Sequence, residues 1–542
     1  MLSISKKIRV FIDDLFQVSK LVKTEKKKRK ILLVAIVNNF LVFFDILIIL
    51  YFAEFFSNRS NINLFFLNQI LENEYLLPVA ILLRFLCIYV EKVVSAKLQY
   101  DIEKNLKVEL LNEIFNRGNI TTSDAYFYVN ELARSVSVFY ATFAVFLGSF
   151  LQILAFTIYL VITNLNAVIV LGIGVALLFL PTLYLTKLGR RYAHISYLAY
   201  NEISEDVERV LDNVNLIKLS KKVKSEVLKF TKSLTTLYDS RLSDVKVGTI
   251  NSAMPNFLTL FGISILLIFF GFIKFLTIDF IGILLRLFQA LGILNKNIHL
   301  VSSFHVYLEK LYAISEAKEE VNYKNFVLAL DKGKEDAVVF EDVSFQYFNS
   351  EEPILENINL NFLKNKHTII TGPNGSGKST ILGLATGILF PTVGKVTTST
   401  KNYGYVSATP LIIKGTLREN LLYGNSLEIG DKEIINMLNS FDLFKDRDDY
   451  NLDSVINNKS LSMGQMQKVS FIRALLGDKD ILILDESTSN LDEEAKNIVS
   501  SILASSELTI INSTHSDIGQ INYDHHYRIA ISGEDRKVIK VK

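Results

Sequence analysis

GPNGSGKST, Gly372 to Thr380, is the stretch that decides how this chain is read. Its glycines let successive backbone N–H groups point into one concave anion site at the start of a helix. In that pattern Lys378 reaches the β- and γ-phosphates of a nucleotide, and the Ser379 hydroxyl is placed for Mg²⁺. Gly372, Asn374, Gly375, Gly377, Lys378, Ser379 and Thr380 are therefore the candidate nucleotide-binding residues. Such a string also occurs in unrelated nucleotide hydrolases. Four motifs downstream narrow the choice: LSMGQ at Leu461 to Gln465, ILILDE ending at Glu486, SNLD at Ser489 to Asp492 and NSTH ending at His515.

In this order the motifs resemble the ATP-binding cassette (ABC) family, specifically an exporter-type half-transporter whose membrane domain is fused ahead of its nucleotide-binding domain. The resemblance covers nearly the whole chain. It implies an α-helical membrane domain with six transmembrane helices followed by an α/β P-loop NTPase domain, with ATP and Mg²⁺ as ligands. It also implies that Tyr347 stacks on adenine, that Asp485 and Ser379 hold Mg²⁺, that Glu486 polarises the attacking water and that His515 contacts the γ-phosphate. Taken singly, Tyr347 reads as a strand-core tyrosine and His515 as a strand-end histidine; their spacing within the motif series favours the functional reading. In the family, the signature of one subunit, here Ser462, Gly464 and Gln465, covers the ATP on the phosphate loop of the other. A second half-transporter is thus the expected partner, a second copy being favoured over a different chain. Three departures stand out. Ala408 occupies the place of a glutamine that ligates Mg²⁺, Met463 replaces a signature glycine, and the segment before Tyr403 is short, which predicts loss of part of a β-subdomain. With Glu486 and His515 both present, a slow but active ATPase is expected.

The first half differs in kind. Half of the 542 residues are hydrophobic, and the apolar excess lies before about Asn295. Runs near the ~20 residues needed to cross ~30 Å of hydrocarbon lie at Ile31 to Ser57, Tyr75 to Val94, Val136 to Thr163, Leu165 to Thr186, Pro255 to Phe275 and Ile278 to Leu294. Lys and Arg are concentrated in KTEKKKRK (Lys23 to Lys30) and in the polar segments Glu91 to Asn130 and Lys187 to Asn251, which places these in the cytoplasm. The reading is an integral inner-membrane protein with its N-terminus and nucleotide-binding domain inside. The polar segments are long enough for the helices to continue beyond the bilayer. Coupling helices of the exporter type are expected near Gly118 to Asp124 and at Asp212 to Ser220.

The expected organisation is an amphipathic surface segment over 1–30, a membrane domain over 31–314, a linker over 315–336 and the nucleotide-binding domain over 337–542. The first segment carries Ile4, Ile8, Phe11, Ile12, Leu15 and Val22 at helical spacing. No small-residue cleavage pattern follows the first apolar run, so that span is expected to be retained. One cysteine, Cys87, excludes an internal disulfide, and a net charge of +2 gives no reason to expect nucleic acid.

Charges within the spans are the clue to cargo. Asp45, Arg84 and Arg286 lie inside apolar runs, where charge is costly and is paired or faces a cavity. Asp45 and Arg84 are expected to pair, and Arg286 to face an anionic group such as a lipid phosphate. An acid in the first span with an arginine in the second is similar to exporters of lipid-linked saccharides. The cargo expected is therefore amphipathic or lipid-linked, with membrane lipid as the surrounding partner. A peptide exporter is the alternative, without cleavage-coupled export because no peptidase domain precedes the first span. An ATP-gated or regulatory membrane subunit is a rival of another class, encouraged only by Ala408.

Overall fold

The computed structural model describes residues 22, 27–57, 73, 75–117, 122–163, 165–270, 278–320, 326–328, 335–347, 352–425, 429–443, 451–514, 522–532 and 535–542. They form two compact units that divide between Lys318 and Glu319. The first unit is helical: α1 (Lys27–Ser57), α2 (Leu76–Arg117), α3 (Thr122–Phe127), a π-helical turn (Tyr128–Leu132), α4 (Ala133–Thr163), α5 (Leu165–Asp212), α6 (Val214–Leu219), α7 (Val223–Phe270) and α8 (Ile278–Glu320).

Each expected span falls on its own long helix, α1, α2, α4, α5, α7 or α8, the fifth being followed only as far as Phe270. Among the described residues, three stretches are long and apolar enough to cross a bilayer by themselves: Lys27–Phe52, Asp124–Ile162 and Ile281–Tyr312. The count of six therefore still rests on the sequence pattern. At 1.5 Å per residue the 48 residues of α5 or α7 reach ~70 Å, more than twice the ~30 Å hydrocarbon thickness. These helices extend well past any membrane they cross.

Apolar faces set the packing. Helix α1 runs along α4, and α5 along α7. Val42, Phe156, Leu160, Ile283 and Leu287 form one buried cluster, and Leu98, Ile102, Leu106, Phe139, Tyr140 and Leu308 belong to another. Leu82, Phe85, Leu86 and Tyr89 of α2 stay exposed, an apolar face suited to lipid.

The amphipathic segment expected before α1 lies outside the described residues except for Val22, which is buried. Of the two coupling-helix positions, 118–121 also lie outside them, whereas α6 is a short helix with no buried residue at the second position.

Polar groups join α5, α7 and α8 near one end of the expected spans. The Asn251 side chain donates to the Asn295 carbonyl (3.5 Å), Asn295 returns the bond to the Asn251 carbonyl (3.4 Å), and Asn295 also donates to Thr182 Oγ1 (3.2 Å). Beside this clasp a Cβ on Gly292 would stand 2.5 Å from the Ser252 carbonyl oxygen. Small residues permit such close crossings. Gly292→Ala is therefore expected to cost about 1–3 kcal/mol of stability, read as a lower melting temperature in detergent. Gly172→Ala, where a Cβ meets nothing within 4 Å, should not lower it.

The second unit carries β1 (Phe326–Leu328), β2 (Asp336–Phe345), β3 (Leu355–Leu363), β4 (His367–Thr371), α9 (Lys378–Thr386), β5 (Val393–Thr398), β6 (Tyr403–Ser407), β7 (Gly415–Thr416), α10 (Leu417–Leu422), α11 (Asp431–Ser440), β8 (Val455–Ile456), α12 (Met463–Leu475), β9 (Ile481–Asp485), α13 (Glu493–Ser505), β10 (Thr509–Ser513), β11 (His525–Ser532) and β12 (Asp535–Lys540). A six-stranded sheet runs β12-β11-β4-β10-β9-β6, parallel except for the β11–β12 pair. The β9 run ILILD is buried at every residue, as a central parallel strand covered on both faces must be. A second sheet has the order β1-β5-β2-β3. The short segment before Tyr403 thus still supplies a strand, β5, between β1 and β2. The segment expected as linker is not featureless: α8 continues through Ser315 to Glu320, and β1 lies within it.

Candidate functional site

Strands β4, β9 and β10 are parallel neighbours, so their carboxyl ends open on one edge of the sheet, where α/β folds place ligands. β4 ends at Thr371 and passes through residues 372–377 into α9. Gly375 and Gly377 have φ of +76° and +98°, conformations a side chain would strain. They turn the backbone so that the α9 N-terminus faces the sheet edge, with the dipole favouring an anion.

Lys378 opens α9 and is 5% exposed. Its ammonium donates to the carbonyls of Gly372 (3.1 Å) and Pro373 (3.2 Å) and lies 3.5 Å from Glu486 Oε1. Ser379 and Asn374 are exposed on the loop and first turn. Thr380 is buried and bonds the Tyr347 hydroxyl at 3.2 Å. Tyr347 also meets Phe345 edge to face at 4.9 Å, so this ring is fixed beside the start of α9.

Asp485 ends β9 opposite Ser513 of β10, whose hydroxyl donates to Asp485 Oδ1 at 2.6 Å. One carboxylate oxygen is thereby fixed. Glu486 follows with φ +49°, a left-handed conformation rare for a side-chain-bearing residue. Strain of this kind persists only where neighbours impose it, and it gathers at functional sites. Burial, with Asp485 nearby, pushes the Tyr405 phenol up to about 12, so it stays neutral beside the carboxylates. His515 lies outside the described residues.

The signature residues are built separately. Ser462 caps α12 in a reciprocal box: Gln465 N–H donates to Ser462 Oγ (3.2 Å), and Ser462 N–H donates to Gln465 Oε1 (2.9 Å). Their bonds are with each other, not with loop 372–377. A Cβ on Gly464 would lie 3.2 Å from the Asn490 carbonyl, whereas Met463 points outward at 48% exposure. The methionine therefore leaves this capped N-terminus intact. Asp492 caps α13 by accepting the Ala495 N–H (2.7 Å), and that bond, helped by Lys468, holds its carboxyl below the usual range.

Among the described residues no cluster of three or more His, Cys, Asp or Glu is arranged for a metal. Ser379, in the first turn of α9, and Asp485, at the end of β9, each carry an oxygen donor. Three residues to which sequence reading gave no role also shape the site: Ser513 within NSTH, Asn490 within SNLD, and Gln467 just past the signature. Each acts through a contact distant in sequence.

A second polar constellation lies in the helical unit. Asp45 is buried; Arg84 Nε donates to its Oδ1 at 2.6 Å, and Arg286 approaches the same oxygen at 3.7 Å while bonding Gln289 (3.0 Å). They line a cavity of about 190 Å³ with Asn38, Ser149 and Gln152. The expected Asp45–Arg84 pair is present, and Arg286 joins it.

A glycine-rich phosphate loop, an acidic strand end and a capped signature helix on one mainly parallel sheet define an ATP-binding-cassette nucleotide-binding domain. Residues 355–489 match the family model described as ABC transporter. The structure superposes with TM-score 0.72 on a bacterial Atm1-family ABC exporter with ATP bound, over 93% of each chain at 16% identity, which establishes the exporter fold. Residues 355–489 thus form an ABC transporter cassette, and the chain has the fold of an ABC exporter, a helical domain followed by that cassette. It is 26% identical over 334 residues to an ATP-dependent lipid A-core flippase of Idiomarina loihiensis, covering 57% of each. Over 412 residues it is 23% identical to the chloroplastic ABC transporter B family member 29 of Arabidopsis thaliana, covering 71% of this chain and 65% of that one. The chain thus spans less than two thirds of the length of these curated relatives.

Proposed function

We propose that this chain is one half of a dimeric, ATP-driven exporter that moves an amphipathic or lipid-linked cargo across the inner membrane. The observation that carries the reading is the convergence of Lys378, Asp485 and the strained Glu486 at one sheet edge. Lys378 binds the β- and γ-phosphates, loop 372–377 donates backbone N–H groups, and Tyr347 takes the adenine. Ser379 and Asp485 would hold Mg²⁺, which supplies charge neutralisation on the phosphates. Glu486 accepts a proton from the attacking water, and His515 contacts the γ-phosphate. Ser462, Gly464 and Gln465 serve the site of a second subunit, a copy of this chain being favoured.

The domain assignment that goes with this reading is a surface segment over 1–30, a membrane domain over 31–314, a linker over 315–336 and the cassette over 337–542, with both termini cytoplasmic. Two arginines around one buried carboxylate leave a net positive charge in the Asp45 cavity. That excess favours an anionic headgroup on the cargo.

The test uses the purified chain in liposomes. It should hydrolyse ATP only with Mg²⁺, be inhibited by vanadate and carry a fluorescent anionic phospholipid between leaflets. Lack of hydrolysis would overturn the whole reading, whereas hydrolysis without lipid movement would overturn the cargo alone. Ala408 favours one rival, an ATP-gated subunit, which would bind ATP and conduct ions without turnover.

A further inference from the structure

Gln467 is completely buried in α12, yet it is a polar residue among Met466, Val469 and Ile472. Its Nε2 donates to the Ser407 carbonyl (3.0 Å) and to the Ser487 carbonyl (2.6 Å). Both partners are acceptors, so the nitrogen must face them, and Oε1 is left buried without a hydrogen bond. An orphaned acceptor is destabilising, and an apolar residue of similar size would avoid that cost.

The two carbonyls are informative. Ser407 ends β6 immediately before Ala408, and Ser487 immediately follows Glu486. Asn490 adds a parallel tie, its Nδ2 donating to the Ala408 carbonyl at 3.0 Å. A left-handed Glu486 must be held there by its surroundings. Its N–H donates to the Ser513 carbonyl (3.0 Å), and its own carbonyl accepts from Ser489 Oγ (3.1 Å). Gln467 grips the next peptide. Without that grip only the bonds to Ser513 and Ser489 oppose relaxation of residue 486 toward the allowed right-handed or extended regions, which would move its carboxylate.

We infer that Gln467 is a positioning residue for Glu486. It ties the Ser487 carbonyl, one residue past the strained Glu486, to the strand end at Ser407 and to the signature helix, and Asn490 secures the adjoining Ala408 backbone. The inference rests on the reading of Glu486 as the group that polarises water.

Gln467→Met keeps the volume and burial but removes both donors. In the full chain in liposomes, ATP turnover should fall by about tenfold to a hundredfold, the scale of a misplaced catalytic group, while binding of a fluorescent ATP analogue stays unchanged. Placed in a Glu486→Gln background, the same change should produce no further loss, because it acts through that carboxylate. Unchanged turnover in Gln467→Met, or an undiminished additional loss in the double variant, overturns the inference. If Gln467→Met does not fold, Asn490→Ala, at an exposed position, should still lower kcat without altering KM for ATP; equal turnover there overturns it too. The underlying reading fails separately, if Glu486→Gln alone leaves turnover intact.

Discussion

Glu486→Gln is expected to lower ATP turnover by about 10²- to 10⁴-fold, the range for losing a positioned general base, while ATP remains bound. The amide preserves the shape of the carboxylate but cannot accept the water's proton. On the proposed reading, in which hydrolysis removes the phosphate that bridges two cassettes, the variant should accumulate as a nucleotide-bound dimer, visible by size-exclusion chromatography with Mg²⁺ and ATP. Lys378→Ala should lose turnover by a different route. The nearly buried ammonium bonds the loop carbonyls and approaches Glu486; on the proposed reading it is the chief side-chain cation for the phosphates, so ATP binding itself should weaken. Equilibrium binding separates the two variants: affinity is kept in the first and lost in the second. Unchanged turnover in both would remove the phosphate loop from the mechanism.

The phosphate loop and the acidic strand end were legible in the sequence because their chemistry depends on local spacing: glycines that permit positive φ, a lysine at the helix start, an acid after a continuous apolar strand. Among the described residues, the long helices on which the apolar runs fall were legible for a similar reason, since a long apolar run marks a helix locally, although only three of the stretches are long and apolar enough to cross a bilayer by themselves. The contacts that no motif signals act across the sequence. Ser513 reaches Asp485 over 28 positions, Gln467 reaches Ser407 over 60, and Asn490 reaches Ala408 over 82. Each contact is between segments brought together only by folding: NSTH and SNLD mark the positions of Ser513 and Asn490, but nothing in the sequence says which distant group each of them, or Gln467, bonds. Helix α8 overran the expected linker because a charged stretch such as SEAKEE has good helix formers and no Pro or Gly to stop it. Met463 looked like a lesion in the signature, yet the cap depends on Ser462 and Gln465, and the methionine side chain points to solvent.

Asp45→Ala should be the most destabilising single change in the helical unit, and the reason is an asymmetry in its ion cluster. One buried carboxylate faces two guanidinium groups, Arg84 at 2.6 Å and Arg286 at 3.7 Å. Removing the acid strands both cations in the cavity that they line. Loss of one partner of a buried pair costs about 3–5 kcal/mol, less here because the arginines are 28% and 38% exposed. Arg84→Ala should be milder, since Arg286 still neutralises Asp45. Exchange of the pair, Asp45→Arg with Arg84→Asp, should recover only part of the loss, because Arg286 then faces a like charge. Adding Arg286→Gln to the exchange removes that repulsion and should raise the melting temperature further. Melting in detergent or membranes orders the four variants. If Asp45→Ala and Arg84→Ala melt alike and their effects simply add, the three side chains do not act as one cluster, and the cavity loses its claim to a shared positive charge.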